Sequence, residues 1–142
     1  MSAYADTSFL ASLYIQDVNS VPAAHLMSQA KLPVLLTSLG ELELANALHL
    51  RRFRRELEVR EVKAASAIFR RDLESGIFLL KTLSPAVFEA AKQLARRRTS
   101  SFGTRTLEIL HVASALVFHT ETFYTFDHNQ RMLAKAEGLQ TP

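Results

Sequence analysis

The chain has 142 residues, 48% of them hydrophobic, and a formal net charge of +3. That length points to one domain with enough apolar material for a core, and the composition excludes a disordered chain. There is no cysteine, which excludes disulfides, thiol catalysis and a thiolate zinc site.

In chain order, Ser2 to Ala5 is a short apolar run that reads as a buried strand. From Ser8 to Gln16 the apolar residues Phe9, Leu10, Leu13 and Tyr14 recur at helical spacing. Asn19 begins a second helix, with Pro22 in its first turn, where proline is tolerated. Pro33 to Thr37 reads as a second buried strand, and a long helix follows from Ser38 to Phe53. Glu56 to Leu73 is another amphipathic helix, broken by Gly76, and Ile77 to Leu80 is a short strand. Ser84-Pro85 opens a helix running to Arg98, and Thr99 to Thr104 reads as a loop. Arg105 to Thr120 is an apolar helix, Phe123 to Phe126 a strand, and Asn129 to Glu137 a last helix ended by Gly138. Leu139 to Pro142 is then left as an edge strand. Strands alternating with helices imply a mostly parallel sheet between helical layers. In such sheets functional residues collect at the carboxyl ends of the strands.

The N-terminus has no basic segment before its first acid, so a secretory signal is not expected. The longest stretch without a charge, Val18 to Ala30, is too short and polar to span a bilayer. A soluble protein is expected, and the missing cysteines suit a reducing cytoplasm. The sequence pI is about 9.5. The basic excess gathers in arginine clusters at 51–55, 70–71 and 96–98, compatible with a phosphate backbone as partner but equally with solvated helix faces.

Four acids sit in otherwise apolar stretches: Asp6, Glu43, Glu108 and Asp127. An unpaired buried carboxylate is unfavourable, and several together repel one another. A hard divalent cation with oxygen ligands is the usual remedy, so the pattern points to a metal site and to hydrolysis. Each acid also has a structural reading. Asp6 and Asp127 suit helix N-caps, and Gln130 completes a cap-like pair with Asp127. Ser38-Leu39-Gly40-Glu41 matches a capping box, which leaves Glu43 as the acid without a structural task. Glu108 lies in the first turn of a helix apolar nearly all round, where the dipole tolerates it and His111, three residues on, is in reach.

The motifs Tyr4-Ala5-Asp6-Thr7-Ser8-Phe9-Leu10, Glu43 to Leu48, Arg105 to Ala113 and Thr125-Phe126-Asp127 resemble, in order and spacing, the PIN-domain ribonucleases, particularly VapC-type toxins. The resemblance covers essentially the whole chain as one PIN-like domain over residues 1–142. It implies a three-layer α/β/α sandwich and an endoribonuclease dependent on Mg2+ or Mn2+. Asp6, Glu43, Glu108 and Asp127 would form the acidic metal site, with Thr7, Ser8 and Thr125 ordering waters or carboxylates around it. It further implies RNA as substrate, a homodimer, a VapB-like antitoxin, and DNA only through that antitoxin. One position departs from the family pattern: Glu108 stands where aspartate is usual. A PIN-like binding module with weakened catalysis is therefore the alternative. A phosphatase of the haloacid-dehalogenase type would require Asp-x-Asp, and the third residue here is Ser8.

Overall fold

The computed structural model describes residues 2–142. Its elements run β1 (Ala3–Ala5), α1 (Thr7–Tyr14), α2 (Ser20–Gln29), β2 (Val34–Thr37), α3 (Ser38–Phe53), α4 (Val59–Glu74), β3 (Phe78–Lys81), α5 (Pro85–Phe102), α6 (Thr106–Val117), β4 (Thr122–Tyr124) and α7 (His128–Ala136). The four strands form a parallel sheet in the order β3-β2-β1-β4. Tyr4 faces Leu35 on one side and Phe123 on the other.

Side chains on a strand alternate between faces, and both faces here are covered. Ala3, Ala5, Val34, Leu36 and Tyr124 pack with Phe9, Leu10, Leu44, Val62 and Phe69, so α1 to α4 form one outer layer. Tyr4 and Phe123 point the other way, into Val87, Leu94, Val112, Leu133 and Ala134 of α5, α6 and α7. The result is the expected three-layer α/β/α sandwich. Helix α6 lies against the sheet with eight of its residues buried, among them Glu108 and His111.

Three local expectations fail. The segment 99–104 is mostly helix: α5 continues to Phe102 and stops where Gly103 takes a left-handed conformation, φ 63°. Polar Thr99, Ser100 and Ser101 look like a loop, but the real stop signal is the glycine beyond them. Residues 139–142 form no strand; Gln140 makes an isolated bridge to Thr122. The capping box at Ser38 does not form either, because Thr37 is the N-cap and accepts from Gly40 N. That shift of one residue puts Gly40, rather than Glu41, at the third helical position.

Candidate metal site in the acidic cleft

The chain adds β2 and β3 on one side of β1, then returns to place β4 on the other. The order reverses between β1 and β4, and a crevice beyond the carboxyl ends of two such strands is where open α/β sheets bind ligands. A cleft of about 400 Å³ lies here, lined by Thr7, Ser8, Glu43, Arg105, Glu108, His111, Asp127 and Gln130, among others. Three of the four acids therefore share one cavity, and the fourth, Asp6, lies beneath it.

Asp6 follows β1 directly, caps α1 and is fully buried. Its Oδ1 accepts from Phe9 N at 3.0 Å and Ser8 Oγ at 2.7 Å. Its Oδ2 accepts from the Thr125 hydroxyl and from Gln130 Nε2, the latter at 2.9 Å. An ionised carboxylate offers about four acceptor positions, and four donors fill them. Burial raises the Asp6 pKa above the ordinary aspartate value, while the Thr125 and Ser8 hydroxyls and Phe9 N–H work against that rise.

Glu43 comes from α3 and meets His111 of α6, with Oε1 to Nε2 at 2.5 Å. Thr7 donates to the same oxygen at 2.7 Å. His111 is buried, and its Nδ1 lies 2.7 Å from the Tyr4 hydroxyl, which in turn is 3.3 Å from Thr37 Oγ1. The ionised Glu43 has no proton to give, so His111 Nε2 is the donor in that pair. On the other side of the ring, Nδ1 and the Tyr4 hydroxyl share a hydrogen bond, and the Tyr4 oxygen shares another with Thr37 Oγ1. A continuous buried chain thus orients Glu43 from the far side of the sheet. Burial pulls the Glu43 pKa upward, but the hydrogen bond and charge of His111, with the Thr7 hydroxyl, outweigh it and hold the group below its ordinary value. Burial pushes the Tyr4 phenol up, so it stays protonated.

His111 pairs with Glu43 rather than with Glu108, its neighbour on α6. Glu108 Oε2 instead accepts from Arg105 N at 2.8 Å, and its Oε1 lies 3.4 Å from Arg105 Nε. Glu108 is thus the third-position glutamate of a half capping box; Arg105, with no acceptor, cannot supply the other half. This reach back to the N-cap uses the extra methylene that glutamate has over aspartate. Asp127 caps α7, accepting from Gln130 N at 2.9 Å. The Gln130 side chain does not return to Asp127, as a capping pair would, but crosses to Asp6.

Donor chemistry suits a hard cation: the cleft offers carboxylate oxygens and hydroxyls, with no sulfur. Among the described residues, however, no three acidic or histidine side chains are already arranged to hold a metal. Among the described residues, Glu43 Oε2 and Asp127 Oδ2 accept no hydrogen bond, and Glu108 Oε1 has only the long contact to Arg105. Asp6 has no free acceptor position. One further atom is unsatisfied beside the cleft, the buried Gln130 Oε1. The residues fit a divalent ion through Glu43, Glu108 and Asp127, and Asp6 joins such a set only by releasing a donor.

Thr7 serves Glu43, while Ser8 and Thr125 serve Asp6. Sequence reasoning missed the side-chain role of Gln130 and the exposed guanidinium of Arg105 at the cleft. Gln130 and Asp6 stand 124 positions apart, so no local spacing signals their bond. An Arg at the N-cap, where Ser, Thr, Asp or Asn is preferred, was the readable anomaly at 105.

No family model and no curated protein matches the sequence. Solved structures do match. VapC20 of Mycobacterium tuberculosis, a toxin that cleaves the sarcin-ricin loop, superposes with TM-score 0.73 at 21% identity, over 97% of this chain and 96% of that one. FitAcB from Neisseria gonorrhoeae gives 0.69 at 16% identity, over 98% and 95%. PAE2754 from Pyrobaculum aerophilum gives 0.66 at 17%, over 99% and 83%. The chain therefore has the VapC-type, PIN-like fold.

Proposed function

We propose that this chain is a Mg2+- or Mn2+-dependent endoribonuclease, the toxin of a VapBC-type pair. The observation that carries this reading is the convergence of Glu43, Glu108 and Asp127 on one cleft at the β1–β4 switch point, with Asp6 at its floor. The likeness of fold to a toxin that cleaves the sarcin-ricin loop supports it.

Glu43, Glu108 and Asp127 would hold the ion, and Asp6 would join them once a donor is displaced. When bound, such an ion lowers the pKa of a coordinated water and offsets charge on a phosphoryl oxygen. The remaining work falls to the chain. His111 and Thr7 keep Glu43 ionised and fixed through Oε1, leaving Oε2 as its free oxygen for the ion. Arg105, its side chain 81% exposed, offers a guanidinium to an RNA phosphate. Attack by water, with the 3'-oxygen as the leaving group, leaves 5'-phosphate and 3'-hydroxyl ends. The same reading brings a homodimer and an antitoxin as partners, with DNA contacted only through the antitoxin. That reading also places its action in the cytoplasm; no described helix is long and apolar enough to cross a membrane.

The test is incubation of the chain with structured and unstructured RNA in Mn2+, Mg2+ or EDTA, with the ends of the products mapped. Metal-dependent cleavage with 5'-phosphate ends is expected, and cleavage indifferent to EDTA contradicts the proposal.

A second reading, a PIN-like module acting through its partner with little catalysis, is favoured by the filled shell of Asp6 and by the cap made by Glu108. Glu108→Asp discriminates between the two. A sharp gain in cleavage marks a damaged nuclease site, and strong cleavage by the unaltered chain removes the second reading.

A further inference from the structure

Gln130 uses one half of its amide and leaves the other half empty. Nε2 donates to Asp6 Oδ2 at 2.9 Å, whereas Oε1 is buried without a partner. Turning the amide over would set Oε1 against a carboxylate oxygen, two acceptors facing each other. Asp6 therefore holds Gln130 in an orientation that deprives a buried carbonyl of its hydrogen bond, an unfavourable state.

The four donors on Asp6 are not equally tied. Phe9 N belongs to the first turn of α1. The Ser8 hydroxyl also accepts from Phe126 N, and the Thr125 hydroxyl also accepts from Asp127 N, each at 2.9 Å. Displacing either oxygen would strand a backbone N–H, and the two hydroxyls also lie 3.3 Å from each other. Among the described residues, the Gln130 amide has no bond besides the one to Asp6. It is the donor whose release disturbs least, and release would let its orphaned oxygen reach a hydrogen-bond donor.

We propose that Gln130 is an exchangeable latch on Asp6: it fills Oδ2 in the metal-free cleft, gives that oxygen up to the divalent cation, and turns its own Oε1 to a water. This rests on the metal-site reading above. It makes Gln130 a positioning residue that competes with the ion, so removing the amide should strengthen metal binding.

Gln130→Met keeps the side-chain length and removes the donor. Calorimetric titration with Mn2+ should show affinity rising on the order of tenfold over the unaltered chain, the scale of one charge-assisted hydrogen bond. Unchanged or weaker affinity in folded Gln130→Met overturns the latch. Asp6→Asn serves as the companion. If it loses Mn2+ binding while Gln130→Met binds as the unaltered chain does, the latch alone fails; if no chain binds Mn2+, the metal site itself fails. Should Gln130→Met not fold, magnetic resonance on the unaltered chain decides the matter. Added Mg2+ should shift the Gln130 side-chain amide signals together with the backbone amides of Thr7 and Asp127. A Gln130 amide that stays still while those backbone signals move overturns the proposal.

Discussion

Asp6 and Glu43 are carboxylates at the same cleft, yet their surroundings drive them in opposite directions. Asp6 is fully buried, and burial raises its pKa against the pull of its donors. Glu43 is partly open, and His111 and Thr7 prevail over burial and lower its pKa. The contrast shows that the number of hydrogen bonds does not decide a carboxylate's state by itself; depth and the charge of the partner weigh as much. It also separates two tasks. Asp6 organises the ends of β1 and β4 and the start of α7, while Glu43 presents a fixed, ionised oxygen to the cavity.

The sharpest way to break the comparison is to remove each side chain. Asp6→Ala leaves buried donors from Phe9, Ser8, Thr125 and Gln130 without their acceptor, and should lower stability in urea by about 3 kcal/mol or more. Asp6→Asn should stay close to the unaltered stability at neutral pH, because the Gln130 amide can turn and offer Oε1 to the new amide group. Comparable losses in both variants would show that the charge, not the shell, holds this region. His111→Leu comes next, at about 2 kcal/mol, because it cuts the chain from Thr37 through Tyr4 to Glu43.

Acid titration sharpens the contrast through its sign. Glu43 has a lowered folded pKa, so its contribution is present above the ordinary value of 4.5 and is lost as pH falls through the folded value. The stability advantage of the unaltered chain over Glu43→Gln should therefore shrink on acidification. Asp6 has a raised folded pKa, so the fold binds its proton more tightly than the unfolded chain does. Its contribution relative to Asp6→Asn should be greatest below the ordinary value of 3.8 and fall as pH rises through the folded value. Two curves of the same slope, measured by denaturant titration across pH, would contradict the opposed environments. The smallest effect is expected for Glu108→Asp, which shortens the reach to Arg105 N and should cost about 0.5–1 kcal/mol of thermal stability.

Local signals in the sequence reach part of this. Full burial of β1 and β4 follows from short apolar runs, and Asp6 and Asp127 announce themselves as caps through their positions. Both are caps, and Asp127 also borders the cleft. The region around Thr37 and Ser38 misleads because two adjacent residues can both cap a helix, and only packing selects Thr37. Glu108 looked unexplained because its cap partner is an arginine backbone N–H, which carries no side-chain signature. The bonds from His111 to Glu43 and from Gln130 to Asp6 cross 68 and 124 positions. They exist because the sheet brings β1 beside β4 and lets side chains of α3 and α6, from opposite layers, meet at its carboxyl edge, information that resides in the topology rather than in any spacing.

The central claim is that the cleft is a metal-dependent nuclease site whose floor is Asp6, and the rate of RNA cleavage in Mn2+ by Asp6→Asn against the unaltered chain tests it most directly. With both proteins shown to be folded, the substitution should slow cleavage about a hundredfold or more, the scale of a lost or misplaced catalytic contact. Equal rates for the two chains would contradict it.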